Sequence, residues 1–254
     1  MTCVFKKNDV QSVKLLYDIV NKQIEHAENV LGHSISSVIH LGDFGIYKTN
    51  LHEYFRKRKC AFSRKLYVID GNHEYFSILE SIVAKYRNCF IYLPRCTIHA
   101  IDGYAFLALG GTAYMDAMIT QRGAVITDAQ IDKCLTISPD QVQIILTHDC
   151  PVGIGVPNTQ GLDFFGATGF PRSDELAAHF RPRLWLFGHH HKFFVHRDGT
   201  TEYYGLCGAW QGYGLLDADF RFTMVEHEIP WPPAPLMERI LMKLRLIRPD
   251  SPQY

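Results

Sequence analysis

Leu66-Tyr67-Val68-Ile69-Asp70-Gly71-Asn72-His73 is a short apolar run that breaks at a glycine and then presents an amide and an imidazole. An apolar run of this length, closed by a turn signal, reads as a strand covered on both faces, where no polar alternation is needed. The same punctuation recurs three times. Ser36-Ser37-Val38-Ile39-His40-Leu41 leads into Gly42-Asp43, Ile144 to Thr147 leads into His148-Asp149, and Leu184 to Phe187 leads into Gly188-His189-His190-His191. Four strands thus end, each at its carboxyl side, in a candidate ligand.

Helical patterns fall between these strands, at about residues 49–58, 75–86, 127–135 and 173–180. A longer amphipathic helix precedes them. From Asp9 to Leu31, Val10, Val13, Leu16, Val20, Ile24, Ala27 and Leu31 recur every three or four positions, with Asn8 as its cap. Alternating strands and helices predict parallel sheet with helical crossovers. After His191 the pattern changes to closely spaced β-like runs (Phe193 to His196, Thr201 to Leu206, Phe222 to His227), which predict an antiparallel portion. Residues 1–230 are expected to form one domain. Trp231-Pro-Pro-Ala-Pro then reads as a linker to a basic amphipathic helix from Leu236 to Ile247, so residues 231–254 stand apart. That helix either docks on a partner or membrane surface or, more commonly, packs back on its own domain.

Composition narrows the class. Of 254 residues, 47% are hydrophobic and 13% aromatic, enough for a sizeable core. Lys+Arg and Asp+Glu both number 26, so no global field draws the chain to nucleic acid or an acidic membrane, and only a local patch would do so. The 7 cysteines are odd in number, scattered and without a Cys-x-x-Cys pair, which predicts a reduced, cytoplasmic protein. No signal peptide is visible, and no segment reaches the roughly 20 apolar residues that span a bilayer.

At the carboxyl edge of an open α/β sheet, loops from several strands converge on one crevice. The four strand ends should therefore assemble Asp43, Asn72, His148, His189 and His191, a carboxylate, an amide oxygen and imidazoles suited to Mn, Fe or Zn. An extended backbone through residues 189–191 would send the outer two histidines to one side and His190 to the other. Glu74 is expected to serve a helix start, His40 to be a satisfied sheet residue, and Cys150 to be no nucleophile despite its nearness to His148. Arg172 is a candidate for binding substrate phosphate, since arginine suits bidentate phosphate recognition.

Gly42-Asp43, Gly71-Asn72-His73-Glu74, the isolated His148 and Gly188-His189-His190-His191 resemble, in order and spacing, the motif blocks of the calcineurin-like metallophosphoesterases, over roughly residues 36–192. The resemblance implies a layered α/β/β/α sandwich of two mixed sheets flanked by helices. It also implies two divalent ions, Mn favoured over Fe or Zn, and hydrolysis of phosphomonoesters or phosphodiesters by a metal-bound hydroxide. Asp43 would bridge the ions, Asn72, His148 and His189 would complete one of them, and His191 would bind the other. His73 would protonate the leaving group or stabilise the transition state.

One family block is missing. Members begin with a strand carrying Asp-x-His, whereas Asp9 here has no histidine two positions on. A late start or truncation is the favoured explanation over real loss, because a missing strand would leave apolar surface and backbone groups uncovered. In this sequence the first ion keeps only Asp43 and His191, so weak or absent activity toward an aryl phosphate is expected. The alternative is a binding scaffold of the same fold that has lost catalysis. The phosphoprotein phosphatase branch is disfavoured, because Asp70 and not Arg precedes Gly71 and no Asp-Arg-Gly run follows.

Overall fold

The computed structural model describes residues 10–115, 120–158 and 166–230. In chain order the elements are α1 (Val10–Leu31), β1 (Ser37–Leu41), α2 (Lys48–Leu51, running on as a wide helical turn His52–Lys57), β2 (Lys65–Ile69), α3 (Leu79–Lys85), β3 (Ile91–Tyr92), β4 (Thr97–Ile101) and β5 (Tyr104–Leu109). There follow α4 (Asp128–Leu135), β6 (Ile144–Thr147), α5 (Ser173–Phe180), β7 (Leu184–Phe187), β8 (Phe194–Asp198), β9 (Thr201–Gly205), β10 (Gly212–Leu216) and β11 (Phe222–Glu226).

The strands form a three-stranded parallel sheet, β1-β2-β3, a six-stranded mixed sheet in the order β4-β5-β6-β7-β9-β8, and the hairpin β10-β11. Side-chain alternation shows how they stack. Leu66 and Val68 of β2 pack with Leu16, Val20 and Ile24 of α1 and with Leu79 and Ile82 of α3. Tyr67 and Ile69, on the other face, meet Phe106, Ile144, Leu146, Leu184 and Leu186 of the six-stranded sheet. Ile145, Trp185 and Phe187 project from that sheet's far face onto Ile131 of α4 and Leu176 of α5. The layers therefore run helix, sheet, sheet, helix, as expected. The central strands β2, β6 and β7 are buried on two sides, which is why they read as unbroken apolar runs.

The helices expected before residue 231 and the four ligand-bearing strands all form, and β8, β9 and β11 match the expected antiparallel runs to within a residue or two. The β4–β5 hairpin has no counterpart in the sequence reading. Its turn is Asp102-Gly103, with φ of +49° and +88°, and Asp-Gly is the pair that tolerates two successive positive φ values in a tight hairpin. The helix expected within residues 231–254 lies outside the described residues. Among the described residues no helix is long and apolar enough to cross a membrane.

Two polar devices fasten the layers, the first of them at the edge where the candidate ligands gather. Asp70, fully buried at the end of β2, receives Nε of Arg95 at 2.8 Å and the Tyr92 hydroxyl at 2.8 Å. Arg95 spends its other protons on Asp70 and on the carbonyls of Val125 (2.9 Å) and Gly123 (2.9 Å), so one guanidinium joins the smaller sheet to the loop before α4. On the far side, Gln23 of α1 donates to the carbonyls of Ala209 (2.6 Å) and His227 (3.0 Å), and the His26 ring stacks on His227 at 3.5 Å.

Candidate metal centre

The chain reverses directly after β1. Gly42 has φ +90° and Asp43 φ +53°, and the turn brings the Asp43 carboxylate under the loop that follows β2. The close approach needs glycine twice. A Cβ on Gly42 would lie 2.3 Å from Nδ1 of His148, and one on Gly71 would lie 2.2 Å from Oδ1 of Asp43.

Oδ1 of Asp43 accepts the backbone N–H of Asn72 (2.8 Å) and of His73 (2.9 Å). Glu74 returns the contact, its two oxygens accepting the N–H groups of Phe44 (2.7 Å) and Ile46 (2.5 Å). The two ligand loops are thereby locked reciprocally. This corrects the helix-start reading of Glu74. The residue is fully buried ahead of the helical turn, and burial together with the nearby Asp43 pushes its carboxyl up to about 8.

The other Asp43 oxygen, Oδ2, is buried without a hydrogen-bond partner, 3.4 Å from Nε2 of His148. His148 is itself fully buried, and its Nδ1–H donates to the Leu41 carbonyl at 2.7 Å. That carbonyl can only accept, so in the neutral ring Nε2 carries a lone pair. Nε2 faces Oδ1 of Asn72 at 3.0 Å and Nδ1 of His189 at 3.2 Å. Four electron-rich atoms from four loops thus converge. The ligand atoms of Asp43, His148 and His189 all lie within 4.8 Å of one another. One proton on Nε2 could serve only one neighbour, whereas a single cation would serve all four. The second nitrogen of His148 is fixed by a backbone carbonyl, the support that metal-binding histidines usually have.

The electrostatics favour ligating forms. Burial lowers His189 to about 3 and His191 to about 2, so both rings are neutral at physiological pH.

The loop after β7 is not extended, and period-two reasoning fails there. His189 and His191 have φ of +62° and +53°, and the His190 N–H reaches back to the Gly188 carbonyl at 2.7 Å. His190 nevertheless turns away, its Nε2 lying 3.0 Å from Oδ1 of buried Asp149. Asp149 also accepts from the Thr112 hydroxyl (3.0 Å) and from the N–H groups of Ala113 (2.9 Å) and Cys150 (2.8 Å). Burial opposes its ionisation, but His189 and His190 hold its carboxyl below the ordinary range. No sequence signal pointed to this pairing across 41 positions.

Of the remaining candidates, His73 is half-buried beside the cluster, tied by its backbone to Asp43. His191 does not join the close set among the described residues, and its ring meets Trp210 edge-on at 5.3 Å. His40 is buried under Phe44 with its Nδ1 unpartnered, so it is less satisfied than a sheet histidine was expected to be. Cys150 is fully buried and its thiol is pushed up by burial, in keeping with an inert side chain. Arg172 is not available for phosphate. Its guanidinium is taken by Glu175 at 2.7 Å and Asp132 at 2.8 Å.

A family model described as calcineurin-like phosphoesterase matches residues 9–193, a span that contains every candidate ligand. The fold is similar to that of TT1561 from Thermus thermophilus, with TM-score 0.52 and 14% identity over 84% of this chain and 94% of that one. It is also similar to phosphopantetheinyl hydrolase PptH from Mycobacterium tuberculosis, with TM-score 0.50 and 10% identity over 85% of this chain and 96% of that one. At such identities the likeness speaks for the fold alone. No curated protein sequence gives a match. Since the family model covers well over half of the sequence, and Asp43, Asn72, His148 and His189 within it meet in space where strands of the two sheets end, the chain belongs to the calcineurin-like phosphoesterase family.

Proposed function

We propose that this chain is a metal-dependent phosphoesterase whose most complete cation site consists of Asp43 Oδ2, Asn72 Oδ1, His148 Nε2 and His189 Nδ1. The observation that carries this reading is the buried, unpartnered Oδ2 of Asp43 among three other lone-pair donors. A buried charged oxygen left without a partner costs more than about 1–3 kcal/mol, a penalty that a divalent ion removes. Family membership supports phosphoester hydrolysis in general, and the family generally uses divalent metals. The nitrogen and oxygen donors suit Mn, Fe or Zn, with Mn favoured. In a dinuclear arrangement Asp43 would be shared and His191 would hold the second ion.

When bound, divalent ions supply neutralising charge at the phosphoryl oxygens and lower the pKa of water. The chain's own residues do the rest. Asn72 and His148 are held against Asp43 by the loop hydrogen bonds, so the site is organised before substrate arrives. His73, fixed by the same carboxylate through its N–H, gives a proton to the leaving oxygen, which would otherwise depart as a poor alkoxide leaving group. The substrate is a phosphomonoester or phosphodiester, and the balanced charge of the chain gives no reason to favour nucleic acid.

With Mn²⁺ supplied, hydrolysis of an aryl phosphomonoester or diester should exceed the uncatalysed rate and vanish with chelator or in His148→Ala. A protein that binds Mn²⁺ yet hydrolyses neither ester would favour the scaffold reading.

A further inference from the structure

We propose that the pairing of His190 with buried Asp149 positions His189 for the cation, by stapling together the two loops that carry the histidine ligands. The proposal rests on the cation-site reading above.

Asp149 is the chain neighbour of His148, and His190 is the chain neighbour of His189. Their 3.0 Å contact therefore links the end of β6 to the end of β7 one residue away from each ligand. A link is needed because His189 is strained. It has φ +62°, and the Gly188 carbonyl accepts the His190 N–H across it at 2.7 Å, which makes His189 the apex of a γ-turn with positive φ. That turn is rare in a non-glycine residue. Conformations of this kind are unfavourable by themselves and persist where surrounding contacts over-determine them.

Two contacts do so here. The Gly188 N–H donates to the His148 carbonyl at 3.0 Å, which fixes the entry to the turn. The His190 ring, held by Asp149, fixes the exit. Asp149 can act as an anchor because Thr112 and Ala113 donate to it from another segment, the N–H of its own neighbour Cys150 donates as well, and it is only 2% exposed. The His189 and His190 rings lie edge to face at 4.9 Å, so rotating His190 out of its bond would disturb the ligand ring directly. In this arrangement His190 touches neither cation nor substrate. It is a positioning residue.

Geometry fixes the proton as well. Asp149 accepts from Nε2 of His190, so that nitrogen carries the hydrogen. Glutamine at 190 can offer an amide N–H in the same direction, whereas alanine offers nothing.

The test compares the full chain with His190→Ala and His190→Gln by calorimetric titration of the metal-free proteins with Mn²⁺, alongside their thermal midpoints. His190→Ala should bind Mn²⁺ about 10–100-fold more weakly, the usual loss for an outer partner of a ligand, while His190→Gln stays within about threefold of the parent. A His190→Ala protein that binds as tightly as the parent would overturn the proposal and leave the cation site standing. Equal weakening in both variants with unchanged thermal midpoints would also overturn it. A parent chain that binds no divalent ion would instead remove the cation site, and the proposal with it. Should His190→Ala fail to fold, a long-range ¹H–¹⁵N spectrum of the metal-free parent decides. His190 protonated at Nε2 supports the staple, and protonation at Nδ1 alone refutes it.

Discussion

Asp43→Asn should give a protein that, without metal, is more stable than the parent at pH 8 and that has lost its affinity for divalent cations. Oδ1 keeps its two backbone N–H donors in the variant, so the loop geometry survives. At the other position an N–H₂ replaces the unpartnered Oδ2 and can donate to the lone pairs of His148 or Asn72. Satisfying a buried polar atom is worth about 1–3 kcal/mol, and more where a charge is involved. For a chain of this size that gain corresponds to a rise of roughly 2–4 °C in thermal midpoint per kcal/mol. The same change removes the only carboxylate from the four donors. The loss in Mn²⁺ affinity should exceed the roughly 10–100-fold typical of an outer partner. Differential scanning calorimetry and titration calorimetry read the two effects. Reduced stability in the metal-free variant would mean that Oδ2 has a partner other than the groups named above.

The largest stability loss should come from Arg95→Leu. Removing one member of a buried ion pair leaves the other charge uncompensated and costs about 3–5 kcal/mol. Asp70 is fully buried, and its remaining side-chain partner among the described residues is the Tyr92 hydroxyl. By comparison, one well-buried aliphatic side chain contributes about 1.5–3 kcal/mol, so the ion pair outweighs any single aliphatic contact in the sheet-to-sheet core. Adding Asp70→Asn to Arg95→Leu should recover part of the loss. Recovery will be incomplete because the carbonyls of Gly123 and Val125 still lack their donor. Denaturant midpoints measure both steps, and a single-variant loss below about 1 kcal/mol would place the pair among those that contribute little. Since Asp70 immediately precedes Gly71-Asn72, weaker cation binding should accompany the loss.

The legible part of this molecule is the part written in local patterns. β1, β2, β6 and β7 are short apolar runs closed by a polar residue or glycine, and their buried positions leave no other reading. The order of candidate ligand types at their ends was equally readable, because each candidate sits within four residues of its strand. The rest depends on partners far apart in sequence. Glu74 read as a helix-start residue because its true partners, the N–H groups of Phe44 and Ile46, lie about 30 positions upstream. Asp149 and His190 gave no spacing signal at all, and Arg172 looked free until the structure supplied Asp132 and Glu175. The β4–β5 hairpin was the avoidable miss, since Asp102-Gly103 is a local signal.

Everything proposed for this site depends on Asp43, Asn72, His148 and His189 holding one divalent cation among four converging lone pairs. Anomalous scattering from crystals soaked in Mn²⁺ locates such an ion without reference to activity. The expected result is a strong peak bonded to Asp43 Oδ2, Asn72 Oδ1, His148 Nε2 and His189 Nδ1, absent in Asp43→Asn. A saturated crystal with no peak there, or with its principal peak held by other residues, would contradict it.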